Sequence, residues 1–168
     1  MEKGKIDLNN IKVAIFDFDD TLAIHKDKKY LEHRNESEEK LLNYYLNAYL
    51  NPNSFYEEIE PCIVSDTMLK IISYLRKNKV KMYCVSGMKF SFHLKAKEYF
   101  VHKHYGDDIE VISSRNQELK VEATKIISII NNCNLNEILF VDDIEENVIR
   151  FNGAGINSLL PNDIKASI

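Results

Sequence analysis

Three short apolar runs, Val13-Ala-Ile-Phe16, Val80-Lys-Met-Tyr-Cys-Val85 and Ile138-Leu-Phe-Val141, run into acidic or small polar residues and are separated by stretches with helical periodicity. Runs this short, rich in β-branched and aromatic residues, read as buried strands. Strands alternating with helices build βαβ units around a parallel sheet, which restricts the chain to an α/β architecture. Ile109–Ile112 and Ile156–Leu160 are shorter strand candidates. Helices are expected from Ser65 or Asp66 to Asn78, and over Phe90–Tyr105, Val121–Asn131 and Glu145–Asn152.

Residues 24–61 interrupt this rhythm. A charged run, His25 to Arg34, reads as a solvated flap. A helix over Glu36–Leu50 follows, with Leu41, Leu42, Tyr45, Leu46 and Tyr49 on a broad apolar face, and Asn51-Pro52-Asn53-Ser54 stops it. The segment is expected to be a small helical insertion within a single domain over 1–168, and Tyr44, Tyr45 and Tyr49 to be packing surface.

Of the 168 residues 45% are hydrophobic, enough for a core that needs no disulfide or structural metal. The balance of 22 Lys and Arg against 26 Asp and Glu gives a net charge of −4, which excludes a general nucleic-acid binder. Met1–Asn10 lacks the apolar core of a signal peptide and no run reaches the length of a membrane span, so a cytoplasmic protein without a membrane partner is expected. Cys62, Cys84 and Cys133 are far apart and form no CxxC pair, and are expected to be reduced, buried thiols.

In a parallel sheet, ligands gather beyond the carboxyl ends of the strands. There the first strand runs into Asp17-Phe18-Asp19-Asp20-Thr21 and the Ile138 strand into Asp142-Asp143, while the Val80 strand delivers Ser86-Gly87 and Lys120 heads a helix. Clustered carboxylates repel unless a cation compensates them. An all-oxygen set with few protein carboxylates suits Mg²⁺, which commonly shares its site with a phosphate. A calcium loop is excluded because Leu22 and Lys28 stand where its glycine and closing Glu belong. Gly153-Ala-Gly155 precedes a strand instead of following one and is no dinucleotide fingerprint. His93, His102 and His104 have no acidic partners at ligand spacing and receive no role. Asp142 and Asp143 would also suit the start of a helix through its dipole.

These motifs resemble those of the haloacid dehalogenase (HAD) superfamily of phosphohydrolases. Its first signature, a strand followed by DxDxT, is similar to Ile15-Phe16-Asp17-Phe18-Asp19-Asp20-Thr21, and its second, a strand ending in Ser or Thr, to Tyr83-Cys84-Val85-Ser86-Gly87. Its lone Lys resembles Lys120, and its strand ending in paired acids resembles Leu139-Phe140-Val141-Asp142-Asp143. All four occur in the family's order and cover about Ile11 to Leu160. Val121 stands after Lys120 where many relatives have Pro, which leaves Lys125, one turn on, as a second candidate.

The resemblance implies a Rossmann-like HAD fold, a central parallel sheet flanked by helices, with the insertion at the first cap position. It implies a Mg²⁺-dependent phosphatase in which Asp17 is the nucleophile, forming an aspartyl phosphate, and Asp19 is the general acid and base. Ser86 and Lys120 would hold the phosphoryl group, with Gly87 and Thr21 beside them. Asp17, Asp19 through its backbone carbonyl, Asp142 and Asp143 would hold the metal. The second Asp of the DxD pattern argues against a dehalogenase. A phosphotransferase using the same intermediate, or a non-catalytic module binding a phosphorylated partner, would use the same motifs. The expected partner is a phosphorylated small molecule, and the small insertion also admits a phosphorylated macromolecule.

Overall fold

The computed structural model describes residues 8–27, 36–88 and 90–164. Residues 28–35, most of the expected charged flap, lie outside the described residues.

Five strands form one parallel sheet: β1 (Val13–Phe16), β4 (Lys81–Gly87), β5 (Ile109–Ser114), β6 (Ile138–Val141) and β7 (Asn157–Leu159). Their spatial order is β5-β4-β1-β6-β7. The chain moves outward from β1 on one side and then returns to fill the other, so the switch point of the topology falls at β1, where such sheets leave a crevice. This is the α/β arrangement expected, with helices on both faces.

Side chains alternate across the sheet. Ala14, Phe16, Met82, Cys84, Leu139 and Val141 face one core, with residues of α2 (Asp66–Lys77) and α3 (Leu94–Tyr105). Val13, Ile15, Tyr83, Val85, Ile138 and Phe140 face the other, with Val121 and Ile127 of α4 (Gln117–Ile130) and Phe151 of α5 (Glu145–Gly153). Phe140 and Phe151 stack with ring centroids 3.9 Å apart. The short α6 (Pro161–Ile164) adds Ile164 to the first core. Among the described residues no helix is long and apolar enough to cross a membrane.

The insertion carries α1 (Glu38–Leu50) and a π-helical turn, Phe55–Ile59, and is closed by a stem the sequence does not announce. Strand β2 (Ala23–His25) pairs antiparallel with β3 (Cys62–Val64), His25 opposite Cys62. Each has three residues, too few to show alternation.

Several boundaries differ from expectation. Ser86 and Gly87 belong to β4 itself. Helix α3 starts at Leu94, after a separate 3₁₀ turn over Ser91–His93. The Asn116 side chain accepts from Leu119 N and starts α4 at Gln117, so Lys120 sits inside the first turn of the helix. Only Leu41 and Ala48 of α1 are buried, while Leu42, Leu46 and Tyr49 are exposed. The three cysteines are free, but only Cys84 is fully buried; Cys62 and Cys133 are partly exposed.

Candidate active site

The strand register assembles the site. Phe16 lies opposite Cys84 on one side and Val141 on the other. Asp17 therefore leaves β1 at the level where β6 gives way to Asp142, and Asp17 N donates to Val141 O at 2.8 Å. The following loop is a tight turn in which the amides of Leu22 and Ala23 donate to the Phe18 carbonyl at 3.0 and 2.9 Å. Asp20 takes the left-handed conformation the turn needs, with φ 53°, which Asp tolerates better than most residues. Phe18 anchors the loop in the core, its ring 4.9 Å from Tyr56 and 5.6 Å from Phe100. Thr21 is fully buried, and its Oγ1 has no hydrogen-bond partner among the described residues.

Carboxylate oxygens of Asp17, Asp142 and Asp143 lie within 4.8 Å of one another. Lys120, fully buried, bridges two of them, with Nζ 2.8 Å from Asp17 Oδ2 and 3.2 Å from Asp142 Oδ2. Asn147 Nδ2 donates to both oxygens of Asp142 at 3.0 and 3.1 Å, and Ile144 N donates to its Oδ1. Phe18 N donates to Asp17 Oδ1 at 2.7 Å. Burial pushes the Asp17 carboxyl up, Lys120 pulls it back, and the charges of Asp142 and Asp19 leave it above its ordinary range. Burial, with the charges of Asp17 and Asp142, pushes Asp143 up to about 7. One ammonium among these carboxylates leaves negative charge to compensate, and clustered hard oxygens suit a divalent ion such as Mg²⁺. Lys125 is exposed and pairs with Glu122 at 2.8 Å.

A second group of charges surrounds Asp19. Lys97 Nζ lies 2.8 Å from Asp19 Oδ2 and 2.6 Å from Ser86 Oγ, and is 4.5 Å from the Phe18 ring centroid. His25 Nε2 lies 3.0 Å from Asp19 Oδ1, while its Nδ1 lies 3.0 Å from Glu60 Oε1 and 3.4 Å from Cys62 Sγ. Burial would raise the Asp19 carboxyl, but Lys97 and His25 outweigh it and hold the group well below the usual carboxylate range.

The sequence reading brings Asp17, Asp19, Ser86, Lys120, Asp142 and Asp143 to one end of the sheet, and the structure places them there. It misses Lys97, His25 and Glu60. One signal for Lys97 exists: His93, Ala96, Lys97, Phe100 and Val101 follow helical spacing and are all buried, so a lysine occupies an apolar stripe. Beside Asp19 opens a cleft with about 400 Å³ of empty space, part of it open to solvent. Gly87 and Lys97 line it from the sheet side, and Tyr44, Tyr45 and Glu60 from the insertion. Two of the tyrosines expected to be packing surface therefore form a wall of this cleft. His93 also lines it, and its Nε2 meets the Tyr56 hydroxyl at 2.9 Å.

No protein-family profile and no curated protein sequence matches the chain. Solved structures do. A HAD family enzyme from Bacteroides thetaiotaomicron, in a magnesium complex, superposes with a TM-score of 0.54 at 18% identity, over 90% of this chain and 93% of that one. A phosphoserine phosphatase, solved as a phospho-aspartyl intermediate analogue, gives 0.57 at 16% identity over 94% and 99%. A HAD-superfamily hydrolase from Ehrlichia chaffeensis gives 0.52 at 18% identity over 89% and 86%. The fold is thus that of the HAD superfamily.

Proposed function

We propose that this HAD-fold chain is a Mg²⁺-dependent phosphatase that hydrolyses phosphomonoesters of small molecules through an aspartyl phosphate on Asp17. The observation that carries the reading is the juxtaposition at the switch point of the sheet. Asp17, Asp142 and Asp143 are grouped around one site, Lys120 bridges the first two, and Asp19 stands beside Ser86 through their common partner Lys97. The magnesium complex of the Bacteroides enzyme and the phospho-aspartyl analogue of the phosphatase support it.

Asp17, Asp142 and Asp143 would hold the Mg²⁺, with the Asp19 carbonyl beside them. The ion would neutralise phosphate charge and bring the phosphorus within reach of a carboxylate. A carboxylate oxygen of Asp17 attacks phosphorus, the bond from phosphorus to the ester oxygen breaks, and Asp19 donates a proton to the departing oxygen. Asp19, now a carboxylate, takes a proton from water, which attacks phosphorus and frees phosphate and Asp17. The pairing of Asp19 with Lys97 and His25 favours the carboxylate, the form the second step needs, so the proton for the departing oxygen must reach Asp19 with the substrate, as on a singly protonated phosphate ester. Lys120 stays beside Asp17 throughout and offsets the charge that builds up on the phosphoryl oxygens. The leaving group would lie in the cleft beside Asp19, between Gly87 and Lys97 on one side and Tyr44, Tyr45 and Glu60 on the other.

The test is Mg²⁺-dependent phosphate release across a panel of phosphomonoesters, from p-nitrophenyl phosphate to sugar phosphates and nucleotides, with Asp17→Asn protein alongside. Release that needs both Mg²⁺ and Asp17 is expected. Release by Asp17→Asn at the wild-type rate would refute the assignment.

A further inference from the structure

We propose that Lys97 is a positioning residue that fixes the Ser86 hydroxyl so that its proton is directed at a phosphoryl oxygen; the proposal rests on the phosphatase reading above. An ammonium has three donors and no acceptor, so in the 2.6 Å contact Lys97 donates and Ser86 Oγ accepts. The hydroxyl keeps its own proton, and no protein acceptor for it is found among the described residues. Ser86 is fully buried and directly precedes Gly87, which lines the cleft. A hydroxyl whose accepting side is occupied by a cation is turned and polarised to donate, the role an anionic oxygen requires.

The placement of Lys97 is costly, and its pairing with Asp19 and its contact with the Phe18 ring offset only part of that cost. It lies in the first turn of α3, where the helix dipole disfavours a cation. It is 1% exposed, on a stripe otherwise suited to apolar packing, and ordering and burying a lysine there costs entropy and hydration. Charge compensation of Asp19 alone does not account for it, because His25 already meets the other oxygen of that carboxylate. Ser86 Oγ, unlike the Asp19 carboxylate, meets no second cation among the described residues.

The test measures the affinity of inorganic phosphate, with Mg²⁺ present, by calorimetry on the wild type, Ser86→Ala, Lys97→Met and the double variant. Each single variant is expected to bind phosphate about tenfold or more weakly, the scale of one charged hydrogen bond, and the double variant no more weakly than Ser86→Ala. A purely structural lysine would lower the melting temperature and leave the phosphate affinity of the folded protein unchanged, which overturns the proposal. Losses that multiply in the double variant would put Lys97 on the phosphate itself and overturn it as well. Wild-type protein that binds no phosphate would instead refute the phosphatase reading, and the proposal with it. Should Lys97→Met not fold, the pair Asp19→Asn and Asp19→Asn/Lys97→Met removes the buried charges in balance, and the same loss of phosphate affinity is expected between them.

Discussion

Lys120 stands 2.8 Å from Asp17 and joins it to Asp142, 3.2 Å away, so a single ammonium holds two buried carboxylates at the ends of neighbouring strands. Its removal leaves them facing each other uncompensated. Lys120→Met is expected to lose turnover and about 3–5 kcal/mol of stability, the usual cost of leaving buried charge unpaired. Mg²⁺ would restore part of that loss by supplying the missing positive charge. Melting curves with and without Mg²⁺ should show a larger metal-induced rise in Tm for Lys120→Met than for the wild type. An equal rise would place the metal away from these carboxylates.

Asp143, pushed up to about 7 by burial and by the charges of Asp17 and Asp142, makes metal binding sensitive to acid. A metal takes the deprotonated carboxylate, so protons compete below that value and not above it. Mg²⁺ affinity should rise with pH up to about 7 and then level off. Asp143→Asn should bind Mg²⁺ about tenfold or more weakly and flatten this dependence. Calorimetric titration of Mg²⁺ between pH 5.5 and 8.5, a window of about 1.5 units on either side of that value, would check both outcomes.

What the sequence makes legible follows from where the signal is stored. Asp17, Ser86 and Asp142 occupy the ends of strands whose apolar runs are unmistakable, and the parallel register does the rest. Lys97 and His25 meet Asp19 from elements separated from it in different ways: Lys97, on α3, lies 78 residues on, and β2 is too short to be seen. In α4 an apolar run does not mark burial, since Ile127 is buried but Ile126, Ile129 and Ile130 are 58%, 78% and 71% exposed. Composition cannot tell which side of an apolar helix meets the sheet. The insertion shows the same limit, since its tyrosines read as packing until the fold places two of them on the cleft.

His25 lies between two carboxylates, Asp19 and Glu60, each 3.0 Å from a ring nitrogen. Burial alone would lower its affinity for a proton, but the hydrogen bonds to Asp19, Cys62 and Glu60 push it up to about 11. The folded-state value exceeds the unfolded one near 6.5, so the stability His25 contributes is fully present below about 6.5 and is lost as pH rises through 11. Urea midpoints measured from pH 6 to 10.5, spanning roughly these two values, should fall for the wild type and fall less steeply for His25→Gln. Parallel profiles would mean that the imidazolium is not what joins β2 to the Asp19 loop.

Tyr45 lines the cleft from the insertion together with Tyr44 and Glu60. Its ring centroid is 4.7 Å from that of His93 and 5.6 Å from that of Phe90, so the aromatic wall is held from both sides. The residues proposed for the chemistry lie at the strand ends and on α4, and the wall on the inserted helix, so truncating the wall should change which ester is chosen while leaving those residues in place. Tyr45→Ala is expected to lower kcat/KM about tenfold for the best ester of the panel, the scale of one lost aromatic contact, and to change it little for a minimal ester such as methyl phosphate. The loss should fall on KM more than on kcat, because under the proposed function the wall would contact the leaving group before and during transfer alike. Equal losses for both esters would mean that Tyr45 supports the Asp19 loop instead of the leaving group, and the small-molecule specificity would then have to be read from Glu60 and Lys97.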